Sequence, residues 1–135
     1  MTQLTELAER EVDSLSGGQR QRVWIALVLA QQTELLLLDE PTTYLDIAHQ
    51  VELLNLLRSL NRSSGRTLVA VLHDLNQACR YADHIIALRN GIIHAQGTPQ
   101  AIITPEAIEA IFGLACIVID DPVTHTPLVL SLIHI

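Results

Sequence analysis

Four consecutive leucines, Leu35 to Leu38, run straight into two adjacent carboxylates, Asp39 and Glu40. A run that is apolar at every position cannot alternate between core and solvent. It reads as a short strand covered on both faces, the pattern of a parallel sheet between helices. Such a strand delivers its acids at its carboxyl end, and in an open parallel sheet that edge is where ligands sit. Upstream, Leu15-Ser16-Gly17-Gly18-Gln19 leads into a helical pattern. Ser16, Gly17 and Gly18 would there turn free backbone N–H groups and the positive end of a helix dipole outward, a ready-made anion site. A phosphate reader followed by a metal-holding acid pair points to nucleotide chemistry.

Composition narrows the classes. The 135 residues suit one domain or part of one, and 49% hydrophobic content with mean hydropathy +0.31 demands a core. Formal net charge is −7 and lysine is absent, which argues against a surface for nucleic acid built on general charge attraction. Cys79 and Cys116 are too few and too far apart for a disulfide framework or a C-x-x-C metal site, and read as two reduced, buried thiols. No apolar run approaches the roughly 18 residues of a membrane span. Glu6, Glu9 and Glu11 near the start are unlike a signal peptide. The expectation is a soluble, cytoplasmic chain whose membrane role, if any, runs through a partner.

Taken in order, Leu4, Leu7 and Ala8 mark a short amphipathic segment over 3–10. A helix over 16–31 has Ser16 as its cap and Val23, Ala26, Leu27 and Ala30 at helical spacing. Pro41 stops the leucine strand, and a loop runs through Thr42-Thr43-Tyr44-Leu45-Asp46. The spacing then predicts a helix over 47–61 with Leu53, Leu56, Leu57 and Leu60 inward, ended by Ser63-Ser64-Gly65. Residues 68–72 form a second two-sided strand, so strand, helix and strand make a right-handed parallel βαβ unit. A helix over 74–81 and a strand over 84–88 follow. Asn90-Gly91 turns that strand into an antiparallel edge at 92–95. Gly97-Thr98-Pro99 breaks the chain, and Thr104-Pro105 opens a helix over 105–112. Late strands are expected at 116–119 and 128–132, around Asp120-Asp121-Pro122. Residues 131–135 match no pattern and stay unassigned. No internal repeat or low-complexity linker is present.

Four motifs in fixed order carry a resemblance. Ser16-Gly17-Gly18-Gln19-Arg20-Gln21-Arg22 resembles the signature of the ATP-binding cassette (ABC) ATPases, and Asp39-Glu40-Pro41-Thr42 their Walker B end. Leu45-Asp46 resembles their D-loop, and His73-Asp74 their switch histidine. The resemblance implies an α/β fold, part of a P-loop NTPase, with a mostly parallel sheet flanked by helices and an antiparallel edge. It assigns residues 1–31 to the end of a helical subdomain and 32–130 to the late catalytic core and carboxyl-terminal extension. It implies ATP as ligand and Mg²⁺ as cofactor.

Hydrolysing a γ-phosphate needs magnesium near the phosphates, a water aimed in line, and donors for the equatorial oxygens. Asp39 would hold Mg²⁺, Glu40 would polarise the water, and His73 would contact the γ-phosphate and orient that water. Ser16, Gly17, Gly18 and Gln19 would close over the γ-phosphate of ATP held by a second ATPase subunit, in a head-to-tail dimer. Asp46 would join that nucleotide site, though an Asp before Ile47 is also a good helix cap and both roles can coexist. His49, His84, His94, His125 and His134 lack metal-ligand spacing.

The family's G-x-x-x-x-G-K-[ST] loop has no counterpart here, since no lysine exists in the chain. The resemblance therefore covers the carboxyl-terminal half of a cassette, and the chain alone is expected neither to bind ATP tightly nor to hydrolyse it. It is also expected to leave its apolar strands partly exposed and prone to aggregate. Pro41-Thr42-Thr43-Tyr44-Leu45-Asp46, His73-Asp74-Leu75-Asn76-Gln77-Ala78 and Ile111-Phe112-Gly113 resemble the importer ATPases for iron–siderophore, haem or vitamin B12. That implies permease partners at the cytoplasmic face of the inner membrane and, indirectly, a substrate-binding protein. Two other classes stay open: a non-transport cassette in DNA repair or translation, and a non-catalytic half-cassette that lends its signature loop to a partner.

Overall fold

A computed structural model describes residue 11 and residues 17–132. The segment expected over 3–10, the cap Ser16 and residues 133–135 lie outside the described residues. The chain divides into two compact units, Met1–Leu72 and His73–Ile135, each described by itself.

In the first unit α1 (Gly17–Ala30) is followed by β1 (Leu35–Leu38), α2 (Ile47–Ser64) and β2 (Thr67–Ala70). Two parallel strands cannot be joined by a tight turn, and α2 supplies the crossover. β1 and β2 pair from Leu35↔Thr67 to Leu38↔Ala70. Flanking bonds from Thr67 N to Glu34 O and from Val71 N to Leu38 O, both 2.9 Å, extend the ladder. Helix α2 runs three residues past the expected end at 61. It stops where Gly65 takes φ 66° and returns its N–H to Asn61 O, a left-handed cap that glycine adopts without strain. Asn61 reinforces the exit by donating from Nδ2 to Arg66 O at 2.7 Å. Arg22 of α1 pairs with Glu52 of α2.

The buried side chains of this unit are Ile25, Leu36, Leu53, Leu54, Leu57 and Leu60. Leu54 takes the buried place expected of Leu56, and Ile25 is buried in α1 where Leu27 is exposed. The leucine strand is covered on one side only. Leu36 is 3% exposed, whereas Leu35 is 51% and Leu37 71% exposed, and Val69 of β2 and Val71 just beyond it are open as well. The expected partial exposure of these strands is therefore observed.

The second unit is built from α3 (Leu75–Tyr81), β3 (Ile85–Arg89), β4 (Ile92–Gly97), α4 (Pro99–Ile102), α5 (Pro105–Phe112), β5 (Cys116–Asp120) and β6 (Pro127–Ser131). The Asn90-Gly91 turn is present, with φ 52° and 75° at its two centres, the positive pair that a two-residue hairpin requires. Thr104 caps α5, accepting at Oγ1 from Ala107 N at 3.1 Å, with Pro105 behind it. The break at 97–99 contains the short helix α4, capped by Thr98. β6 reaches into the stretch left unassigned: Ser131 pairs with Cys116, and Leu132 N donates to Ala115 O at 2.8 Å.

Among the described residues the strands form three two-stranded sheets, β1–β2 parallel and β3–β4 and β5–β6 antiparallel. The β1–β2 pair is the expected parallel part and β3–β4 the expected antiparallel hairpin. Among the described residues the only helical crossover between paired strands is α2, while short reversals at Asn90-Gly91 and between Asp120 and Pro127 make antiparallel pairs.

Cys79, Ile103, Ile108, Cys116 and Val129 make the core of the second unit, with Leu75, Ile85, Ile102 and Val118 packed around it. Both cysteines are free thiols in that core, as expected, and burial pushes Cys79 up to about 11, Asp74 adding a smaller push. Two polar clamps fasten α3 to the β5–β6 hairpin. Asn76 donates from Nδ2 to Val129 O at 3.1 Å and accepts Val129 N at 2.8 Å, as a paired strand would. Arg80 meets Asp121 twice, Nε to Oδ2 at 2.7 Å and Nη2 to Oδ1 at 3.2 Å, and Asp121 also accepts Val123 N. Asp121 is 1% exposed. Arg80 first, then the Val123 N–H, hold its carboxyl well below the usual carboxylate range.

Ile108 is fully buried, so Ile108→Ala should cost about 2–5 kcal/mol in urea unfolding. The Asp121 clamp sets an acid limb. Its folded carboxyl releases its proton more readily than the unfolded one near 3.8, so stability from this group is full above about pH 4. That stability is lost as pH falls through the folded value. Asp121→Asn should lower the melting temperature at pH 7 and flatten its fall below pH 4, whereas an unchanged acid limb would remove Asp121 as its cause.

Candidate functional site

β1 ends at Leu38, and Asp39 and Glu40 follow it, both exposed. They stand at the carboxyl end of a strand in parallel pairing, the edge expected to take ligands. Asp39 lines an open depression of about 220 Å³ with Leu37, Leu38, Val69 and Val71. The chain then turns tightly on itself. Thr43 N donates to Glu40 O at 3.2 Å, Leu45 N to Thr42 O at 3.3 Å, and Thr43 Oγ1 reaches Glu40 Oε2 at 3.4 Å. Glu40 and Tyr44 hold φ of 49° and 66°, left-handed backbone that costs a side-chain-bearing residue energy and persists only when its surroundings impose it. Pro41 is buried at one corner while Tyr44 is 99% exposed at the other.

Asp46 closes the loop as the cap of α2. Its Oδ1 accepts His49 N at 2.9 Å and lies 2.8 Å from His49 Nδ1. The backbone N–H of His49, more than its ring, holds the Asp46 carboxyl below the ordinary range. The capping role is thus occupied, and any ligand role for Asp46 must share the carboxylate with His49.

Gln50 was not singled out from the sequence. It donates from Nε2 to Leu45 O at 3.0 Å and to Thr42 O at 3.3 Å. A signal existed: a polar amide one turn past an Asp cap, one residue beyond the usual capping-box place, at the root of a loop rich in turn formers.

α1 begins at Gly17, so the amides of Gly17, Gly18 and Gln19 belong to a first helical turn whose N–H groups have no acceptor within the helix. Ser16, assigned to the same anion site, lies outside the described residues. Asp39, Glu40 and Asp46 share one loop of the first unit. His73, exposed, opens the second unit one residue before Asp74, which caps α3 by accepting Gln77 N at 3.0 Å. Among the described residues no group of three His, Cys, Asp or Glu side chains could cage a metal. A lone strand-end carboxylate does suit Mg²⁺ that keeps its waters and shares the phosphates of a nucleotide. His125 pairs with Asp120 at 2.9 Å, on an exposed turn. No helix among the described residues is long and apolar enough to cross a membrane.

The family profile described as ABC transporter matches residues 1–43. The chain is 66% identical over 131 residues to the ferric enterobactin transport ATP-binding protein FepC of Escherichia coli K12, covering 97% of this chain and 48% of that protein. It superposes with a TM-score of 0.87 and 36% identity on an inward-facing ABC transporter assigned to the metal-chelate type, covering 98% of this chain and 53% of the other. With the ATP-binding cassette MJ0796, a dimer bound to ADP and Pi, the TM-score is 0.62 at 38% identity, over 70% of this chain and 40% of the other. The chain thus spans about half the length of the curated relative it matches. On 66% identity over 131 residues and on the shared fold, the chain belongs to the ABC transporter family.

Proposed function

We propose that the chain is the signature-to-switch half of an ATP-hydrolysing subunit that powers import of iron(III)–siderophore. The observation that supports it most is the 66% identity to the ferric enterobactin transport protein. In this reading the whole subunit sits at the cytoplasmic face of the inner membrane on permease subunits, fed indirectly by a substrate-binding protein. It works as a head-to-tail dimer, a reading to which the dimeric cassette with ADP and Pi lends support.

The proposed residue roles rest on the motifs and on the chemistry of each side chain. Magnesium, when bound with nucleotide, neutralises charge on the β- and γ-oxygens, and Asp39 is the side chain that would hold it. Glu40, a carboxylate beside it at the strand end, accepts hydrogen bonding from the attacking water and aims it in line. His73, in the second unit, is proposed to donate to a γ-phosphate oxygen. The first turn of α1, from Gly17 through Gln19, would present amides to the γ-phosphate of the partner's nucleotide, and Ser16 of the same motif would join them. Glycine lets the oxygens reach the backbone where a Cβ would block them. Asp46, held at the base of the loop, borders the same nucleotide.

Alone, the chain should show no micromolar binding of Mg²⁺–ATP by calorimetry and no phosphate release, because it has no lysine and no phosphate loop. Joined behind the amino-terminal half of the E. coli relative, it should hydrolyse ATP. Glu40→Gln in that fusion should then lower kcat by about 10²–10⁴. Turnover by the unfused chain that vanishes on Glu40→Gln would overturn its assignment as half a site. A fusion that binds ATP but is indifferent to Glu40→Gln would overturn the role of Glu40.

A further inference from the structure

The loop from Glu40 to Asp46 carries two left-handed, side-chain-bearing residues within five positions. Its internal bonds, Thr43 N to Glu40 O and Leu45 N to Thr42 O, are long at 3.2 and 3.3 Å. Left-handed backbone at side-chain-bearing residues persists only where the surroundings impose it. The loop is held from outside by Gln50, whose single amide group reaches two of its carbonyls, Leu45 O at 3.0 Å and Thr42 O at 3.3 Å. Gln50 is itself fixed, because its N donates to Asp46 O at 2.9 Å in the first turn of a helix 18 residues long. It is half-buried, so water competes less for its amide than at the exposed Asp46 and His49.

We propose that Gln50 is the positioning residue of the Glu40–Asp46 loop, holding Glu40 and Asp46 at fixed places relative to α2. The role of the loop in hydrolysis rests on the function proposed above, but the geometric claim stands without it. The two carbonyls lie on either side of Tyr44, so one amide sets the loop's path on both sides of its fully exposed, left-handed residue. Asp46 and His49 fasten the helix start, and Gln50 fastens the loop to that start.

The test uses the chain as it is, without nucleotide, so its outcome is independent of ATP binding. Gln50→Glu keeps the length but removes both donors, and Gln50→Met removes them without adding charge. One-bond Hα–Cα couplings separate positive from negative φ at Glu40 and Tyr44, and amide exchange reports Leu45 and Thr43. Both variants should lose the positive-φ coupling at Tyr44 and speed Leu45 exchange at least about tenfold, with Leu57 in α2 within about twofold of the parent. Retained couplings and unchanged Leu45 exchange would overturn the proposal. So would a matching acceleration at Leu57, which would make Gln50 a general helix residue. If one variant fails to fold, the other decides by the same readings.

Discussion

Parallel pairing of two strands obliges the chain to travel the length of the sheet and return, and α2 is that return. The placement of Asp39, Glu40 and Asp46 follows from this. The register Leu38↔Ala70 fixes where β1 stops, hence where Asp39 and Glu40 emerge. The start of α2 fixes Asp46 through its cap, accepting His49 N. Between two such anchors the chain has only Pro41 to Leu45 in which to reverse, and left-handed backbone at Glu40 and Tyr44 is what that shortness demands.

The second unit solves a different problem. Its strands are paired by short reversals, so its order depends less on crossovers than on what fastens its parts together. The core around Cys79, Ile108 and Val129 does this apolarly. Asn76 and Arg80, one turn apart on α3, do it with hydrogen bonds aimed at the hairpin. A buried carboxylate such as Asp121 is tolerable because two guanidinium contacts and backbone N–H groups replace its water.

Much of this was legible in the sequence, and the reasons are local. The Leu35–Leu38 strand, the Asn90-Gly91 turn, the Thr104-Pro105 helix start and the Asp46 cap each depend on a few neighbouring residues. What escaped depended on the whole. Periodicity placed Leu56 inward, whereas Leu54 is buried and Leu56 only partly so. A four-leucine run suggested cover on both faces, yet within the first unit only alternate leucines are shielded. The hairpins at 85–97 and 116–131 look like sheet edges one strand at a time, and only pairing partners reveal them as separate sheets. At the site, the acids and glycines were visible as motifs, while Gln50 was not. Its importance lies in two carbonyls that a sequence pattern does not mark.

The Asn76 clamp has a consequence for how this molecule meets its neighbours. A hairpin strand normally offers one row of outward N–H and C=O groups to any extended peptide that drifts past. At Val129 that row is already answered by the Asn76 amide, which supplies the donor and acceptor a foreign strand would bring. A guest strand must first evict Asn76, and Asn76 sits in the opening turn of α3. Polymerisation through this edge is therefore coupled to unravelling a helix packed on the unit's core, so the hairpin resists recruitment even though half of its own side chains face water.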